Sequence, residues 1–484
     1  MKNSIESLEP KALWKYFAGI AAIPHGSKNE QSLKEWIKKK ASEHKLEVKE
    51  DAVGNVVVRI PATKGHEKAE TVVLQGHLDM VCEKNSDVAF DFDKEPLRLA
   101  IRDGWVKAEG TTLGADNGIG VAAALAFMDS TDTVHGPLEL LFTVDEETGL
   151  TGAAALEASL VTGKKLLNLD SEEDTTFFIG CAGGADTLFS LPLAFVAPPS
   201  GNRGIKISVT GLAGGHSGLN IIENRGNAIK LLSKILVRSG RTANLNLASI
   251  EGGSKHNAIP REAFAVLCGD PELLEVLDKA AQDELRLFKE EFDKTDPEAK
   301  VTVATADNPK KVMDVGTRDR LLGLLLSAPY GVLAMSRDMP GLVETSTNLA
   351  IVRIEGNEAH IHMSSRSSVG AALSRTNWQI AAVAGLAGAA VTMGNAYPGW
   401  KPNMASPLLK VGRETYRKLR NSDPVVTAIH AGLECGIIGE RFPGMDMISF
   451  GPTIQGAHSP DEKVEIASVE RFWKLLQKML EAVA

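Results

Sequence analysis

Cysteine is scarce in this sequence: four residues in 484 (Cys82, Cys181, Cys268, Cys435), none of them in a Cys-x-x-Cys pair. That usage argues against both a disulfide framework and a thiolate zinc site, so any bound metal must be held by His, Asp and Glu. Positive charge is also in deficit. Lys and Arg number 53 against 62 Asp and Glu, a formal net charge of −9 with no basic run to offset it. Nucleic acid and anionic membrane therefore find no electrostatic footprint. Long hydrophobic runs are missing too: the most apolar stretch, Ile380 to Gly394, is too short and too rich in Gly and Ala to span a bilayer. The opening MKNSIESLEPKALWKYF has acidic residues where a signal peptide needs an apolar core. A soluble, cytoplasmic protein is expected. No tract reads as disordered, since 43% apolar and 24% charged residues, with 45 Gly and 21 Pro spread along the chain, are ordinary globular usage.

The length exceeds the roughly 250 to 300 residues at which one hydrophobic core stops growing, so two domains are expected. A helix is predicted over Ser27 to Leu46, opened by a Ser27-x-x-Glu30 capping box. Short β-branched runs at Gly54 to Ile60, Thr71 to Leu78, Leu138 to Val144 and Lys165 to Leu169 predict strands. Helical stretches such as Asn117 to Met128 and Gly152 to Leu160 alternate with them, as in an α/β sheet. Past the Gly- and Pro-rich passage that runs from Gly180 through Pro198-Pro199-Ser200-Gly201, the pattern becomes α+β. It has strands at Gly204 to Thr210, Asn244 to Ile250 and Ala263 to Cys268, and helices at Arg225 to Arg238 and Pro271 to Phe292. Another round follows, with strands at Leu349 to Ile354 and Glu358 to Ser364 and a helix over Asn377 to Val391, so this region reads as two similar halves. From about Tyr397 the chain returns to the first domain, with helices at Pro407 to Leu419, Pro424 to Leu433 and Val469 to Val483 and a strand at Met447 to Phe450. The boundaries expected are 1–183 and 397–484 for the first domain and 184–396 for the inserted one.

Carboxylates and histidines collect at predicted strand ends. In Gln75-Gly76-His77-Leu78-Asp79, residues two apart share a face, so His77 could ligate a metal with Asp79 supporting it; taken alone, these residues read better as a solvated loop pair. Leu113-Gly114-Ala115-Asp116-Asn117-Gly118-Ile119-Gly120 sets a carboxylate in a Gly-rich turn before a helix. Its spacing fits no phosphate loop, which leaves Asp116 as a ligand or a helix cap. Thr143-Val144-Asp145-Glu146-Glu147 puts three carboxylates after a strand, where one can ligate while its neighbour serves as general base. Asp170 ends the next strand, and His458 lies in Gly456-Ala457-His458-Ser459-Pro460-Asp461-Glu462.

The order HLD, GADNG, DEE, LD, GAHSPDE resembles the M20 metallopeptidases over essentially the whole length, with the intervening sequences Gly214-Gly215-His216-Ser217-Gly218 and Gly252 to Pro260 adding specificity. The resemblance implies an α/β, two-domain chain: an α/β metallo-exopeptidase catalytic domain with an inserted α+β lid. It assigns His77 and Asp170 to one metal, Glu147 and His458 to another, and Asp116 to the bridge, with Asp79 and Glu146 as the catalytic pair. It also implies a cis peptide at Asp116-Asn117, and His216, Asn257, Arg366 and Gly432 as substrate contacts. The cofactor implied is two divalent ions, zinc first, with Co2+ or Mn2+ acceptable to the same donors. Two such ions balance Asp116, Glu147, Asp170 and a bridging hydroxide, leaving Glu146 as general base.

The function expected is metal-dependent hydrolysis of dipeptides, Xaa-His (carnosine-like) first, with broader dipeptide activity. The partner is a small peptide, with no nucleic acid and no membrane, and a homodimer forms through the lid. The alternatives are an N-acyl amino acid deacylase and, with less support, a non-catalytic peptide-binding protein. Surface or packing roles are expected for the other histidines, His25, His44, His66, His135, His256, His360, His362 and His430.

Overall fold

The computed structural model describes residues 5–484. The chain divides into two compact units. One runs to Gly180 and takes up the chain again over Trp400–Ala428 and Leu433–Ala484; the other comprises Cys181–Gly399 and Ile429–Gly432.

The first unit is built on an eight-stranded sheet. Its spatial order is Glu47–Glu50, Val56–Ile60, Leu138–Thr143, Val72–His77, Lys165–Asn168, Asp446–Ser449, Thr176–Cys181, Val425–Ile429. The four central strands, from Leu138–Thr143 to Asp446–Ser449, run parallel. Val72–His77 and Leu138–Thr143 are buried at every position, which is why they read as mostly apolar runs rather than as alternating ones. The helix Ala115–Ala126 packs on Val72–His77, and its small residues allow the approach. A Cβ on Gly120 would lie 2.4 Å from the carbonyl oxygen of Leu169, and one on Gly76 would lie 2.2 Å from Asn117 Oδ1. A separate four-stranded sheet, ordered Ile454–Gln455, Lys463–Glu465, Trp105–Ala108, Leu99–Arg102, holds the loop that carries His458.

The second unit is one antiparallel sheet backed by helices. Lys300–Ala306, Arg203–Thr210, Ala263–Gly269 and Asn246–Gly252 form one side, and Val343–Glu355, Glu358–Ser367, Gly183–Pro192 and Ala390–Tyr397 the other. The sides meet at the pair Gly252 and Val352. Leu232, Ile235, Leu267, Leu321, Leu349 and Met363 are among the residues of its core. Among the described residues, no helix is long and apolar enough to cross a membrane.

Five expectations are corrected. Pro424 to Leu433 is a strand, Val425–Ile429, followed by a helix that begins only at Glu434; the β-branched run Val425-Val426-Thr427 outweighs the helix-start signal of Pro424. The capping box does not form. The helix begins at Gln31, the Ser27 hydroxyl donates to Asp79 Oδ2 at 2.8 Å, and Glu30 Oε1 accepts from the Asp145 amide at 3.0 Å. The helix expected to reach Val391 ends at Leu386; Gly388 then turns the chain with a positive φ of 81° into the strand Ala390–Tyr397. Gly152 to Leu160 is a short helix, Thr151–Ala155, entered through Leu150 at φ +55°. Finally, Ile429–Gly432, expected with the returning segment, belongs to the second unit; the Ala182 amide donates to the carbonyls of both Ile429 and Ala431 there.

Candidate active site

Open α/β sheets present ligands beyond the carboxyl ends of their parallel strands. Here those ends deliver most of the cluster in the first unit. His77 closes Val72–His77, Asp145 to Glu147 follow Leu138–Thr143, and Asp170 follows Lys165–Asn168. His458 arrives on the loop between Ile454–Gln455 and Lys463–Glu465. Asp116 stands at the mouth of its helix after Gly114, whose φ of +65° favours glycine, and the Asp116-Asn117 peptide is cis.

Asp116 lies between two groups. Its Oδ1 is 3.1 Å from His77 Nε2, and its Oδ2 is 3.2 Å from His458 Nε2. His77 Nε2 also approaches Asp170 Oδ1 at 3.3 Å, and His458 Nε2 approaches Glu147 Oε1 at 3.1 Å. The other ring nitrogen of His77 sits 3.0 Å from the Asp79 carbonyl oxygen. An N–H there orients the ring and leaves Nε2, the nitrogen facing the carboxylates, as the atom that would bind a metal.

Asp79 is spent on positioning. Its carboxylate accepts from the Glu146 amide at 2.9 Å, the Glu147 amide at 3.1 Å and the Ser27 hydroxyl at 2.8 Å. Burial opposes its charge, but His77 and these donors hold it down at about 2. Glu146 is the reverse case: burial, aided by Asp170, Glu434 and Glu147 and only partly offset by His77, raises its pKa well above that of an ordinary carboxyl. The negative charges of Asp116 and Glu147 beside it raise His458 to about 11.

The model of peptidase family M20/M25/M40 fits residues 73–482. The chain belongs to this family. A cytosol non-specific dipeptidase of Escherichia coli (strain K12) is 42% identical over 481 residues, 99% of either chain. The crystal structure of an aminoacylhistidine dipeptidase from Vibrio alginolyticus superposes with a TM-score of 0.94 at 41% identity, over 99% of this chain and 98% of that one. An aminopeptidase from Bacillus cereus, at 17% identity and a TM-score of 0.57 over 98% and 99% of the two chains, shares the fold alone.

The donors of this M20 chain fit divalent metal ions. His77, Asp116 and Asp170 can each place one donor atom within 4.8 Å of the others, as can Asp116, Glu147 and His458. Glu147 Oε1 and Asp170 Oδ1 are buried without a hydrogen-bond partner, a cost that coordination would remove. Two imidazoles with several carboxylates, and no thiolate, form a donor set for zinc, cobalt or manganese.

Three acids near this cluster escaped sequence reasoning. Glu462 accepts four consecutive amides: Leu113 at 2.7 Å and Gly114 at 3.0 Å on Oε2, Ala115 at 2.8 Å and Asp116 at 3.2 Å on Oε1. The Gly-rich turn before Asp116 was the available signal, because a turn with its amides aligned needs an acceptor. Glu434 is wholly buried, accepts from Gln75 at 2.6 Å and Thr143 at 2.7 Å, and is raised to about 7 by burial. Glu172 is raised to about 7 by burial and by Asp116. Nothing in sequence spacing marks either one.

The remaining four sequence-predicted residues lie in the second unit. His216 Nδ1 accepts from the amides of Gly218 at 3.2 Å and Leu219 at 3.1 Å, so Nε2 carries the hydrogen. Burial, with Arg366 and His256 nearby, lowers its pKa to about 4 and keeps the ring neutral. Arg366 donates to the Tyr397 hydroxyl at 3.0 Å, while its Nε is buried without a partner. A Cβ on Gly432 would come within 2.9 Å of the same Tyr397 ring. Asn257 is tied to the His216 loop through its carbonyl, which accepts from the Ser217 amide at 2.8 Å.

Proposed function

We propose that the chain is a cytoplasmic, metal-dependent dipeptidase that cleaves unblocked dipeptides, Xaa-His among them, with zinc as the metal. The observation that carries this reading is the geometry of Asp116, which offers one carboxylate oxygen to His77 and the other to His458. His77 and Asp170 would hold one ion, Glu147 and His458 the second, and Asp116 would hold both. Bound there, a pair of ions supplies Lewis acidity toward a peptide carbonyl and lowers the pKa of water.

The chain's own groups do the rest. Glu146 takes the proton of the attacking water and returns it to the leaving amine; burial makes its carboxylate a stronger proton acceptor than an exposed one. Asp79 fixes His77 and the turn carrying Glu146 and Glu147. Neutral His216 donates its Nε2 hydrogen to the developing oxyanion. The Arg366 guanidinium, with Asn257 as an added donor and Gly432 leaving space, receives the terminal carboxylate of the substrate and limits its length. We also assign a homodimer to the second unit, the lid: its helix Gly370–Leu386 exposes Trp378 at 70% and Leu386 at 90%, beside the edge strand Ala390–Tyr397.

The test is hydrolysis of β-Ala-His, Gly-His and other unblocked dipeptides beside N-acetyl amino acids, with metal-stripped and zinc-restored protein. Zinc-dependent cleavage of unblocked dipeptides is expected, reduced about 100- to 10,000-fold in Glu146→Gln. Cleavage of N-acetyl amino acids alone would replace this reading with a deacylase, and inertness toward both with a binding protein. Sedimentation of parent and Leu386→Glu protein tests the dimer.

A further inference from the structure

Within the second unit, Gly183–Pro192 and Glu358–Ser367 pair antiparallel with Asp186 opposite Ser364 and Leu188 opposite His362. Asp186 and His362 are therefore diagonal neighbours on one face of the sheet. The turn after Asn246–Gly252 brings His256 over the same spot. Its ring stacks on that of His362 at 5.6 Å between centroids, and its Nδ1 lies 3.5 Å from Asp186 Oδ2. His362 Nε2 lies 3.3 Å from Asp186 Oδ1, yet it is buried and has no hydrogen-bond partner. Against the cost of burial, His362, with Ser364 and His256 beside it, holds the Asp186 carboxyl below its ordinary range.

Nitrogen and oxygen ligands held at roughly 2.0 to 2.1 Å around a tetrahedral ion sit about 3.4 Å from one another. Around Asp186 the spacings are near that figure, 3.3 Å from Oδ1 to His362 and 3.5 Å from Oδ2 to His256. One donor atom from each of Asp186, His256 and His362 can lie within 4.8 Å of the others.

We propose that Asp186, His256 and His362 form a further divalent-cation site, distinct from the cluster at Asp116 and made wholly within the second unit. Two imidazoles and one carboxylate select zinc, cobalt or nickel over magnesium or calcium, which prefer all-oxygen shells. Three protein donors leave one position open to water or to a ligand. The site is the weaker one, because the His256 side chain is 53% exposed on its turn and must be ordered on binding. Filling it ties down the turn that also carries Asn257, so occupancy stiffens a segment assigned above to substrate.

The test counts ions. The full chain, stripped with chelator, is titrated with Co2+ and followed by visible absorption and by equilibrium dialysis, alongside His362→Gln and His256→Ala. The parent should bind one ion more than His362→Gln, and that ion should be the last to fill. His256→Ala, altered only on an exposed turn, should weaken the last ion at least tenfold and leave earlier uptake unchanged. Equal stoichiometry in the parent and His362→Gln, or an unchanged last affinity in His256→Ala, overturns the proposal. Because the readout is a difference between chains, it stands or falls separately from the dinuclear reading, which a His77→Ala chain tests through the first ions.

Discussion

Replacing Glu462 by glutamine tests how the Asp116 turn is held. The carboxylate accepts two amides on each oxygen, whereas an amide keeps one acceptor and turns an NH2 toward the other two donors. Losing two hydrogen bonds to a charged acceptor costs roughly 3 to 6 kcal/mol. Part of this is offset: burial and the neighbouring Asp116 both disfavour the Glu462 charge, raising its pKa, and glutamine removes that repulsion. The lower end, about 3 kcal/mol, is the expected net effect. Converted at 1.36 kcal/mol per tenfold, amide exchange in the peptide spanning Leu113 to Asn117 should accelerate about a hundredfold in metal-free protein. Metal affinity should fall with it, since Asp116 would no longer be fixed between His77 and His458. Asp461→Asn, one residue away and exposed, should change stability by no more than about 0.5 kcal/mol. Native exchange rates and native metal affinity in Glu462→Gln would refute the argument.

Three further outcomes follow from the same structure. Asp79→Asn, which turns an NH2 toward the Glu146 and Glu147 amides, should lower zinc affinity or kcat about 10- to 100-fold; zinc titration and initial rates check it, and a native-like variant would remove Asp79 from its positioning role. His430 is buried against Ser346 at 2.7 Å, and burial, with Arg366 and His216 nearby, lowers its pKa to about 3. Below pH 6.5 the unfolded chain takes up a proton that the folded chain refuses until about pH 3, so stability falls as pH drops through that window. The loss is about 2 kcal/mol at pH 5; urea unfolding of parent and His430→Gln from pH 7 to 4 should show a shallower acid decline in the variant, and parallel declines would contradict it. Each ion present at 100 times its Kd should stabilise the chain by about 2.7 kcal/mol, so chelation should lower Tm; an unchanged Tm would argue against metal binding in the folded state.

The parallel strands were legible because both faces are covered: Val72–His77 and Leu138–Thr143 have no solvent side, and a continuous apolar run bounded by polar residues has few other solutions. The candidate site residues were legible for a related reason, since strand ends are where His77, Glu146, Glu147 and Asp170 fall, and motif order supplied Asp116 and His458. Local pattern failed where signals competed: Pro424 against the β-branched residues after it, and Ser27 and Glu30, whose side chains went to Asp79 and Asp145 instead of to their own helix. What only tertiary structure decided is which groups meet across long stretches of chain. Glu462 reaches the 113–116 amides because a hairpin of the small sheet carries it there, and Glu434 reaches Gln75 and Thr143 from a helix more than 290 residues downstream of Thr143. Asp186, His256 and His362 lie on two strands and a turn that share no motif. Sequence encodes periodicity and local chemistry, while the pairing of distant side chains is set by sheet register and loop closure, which appear only when the chain is folded.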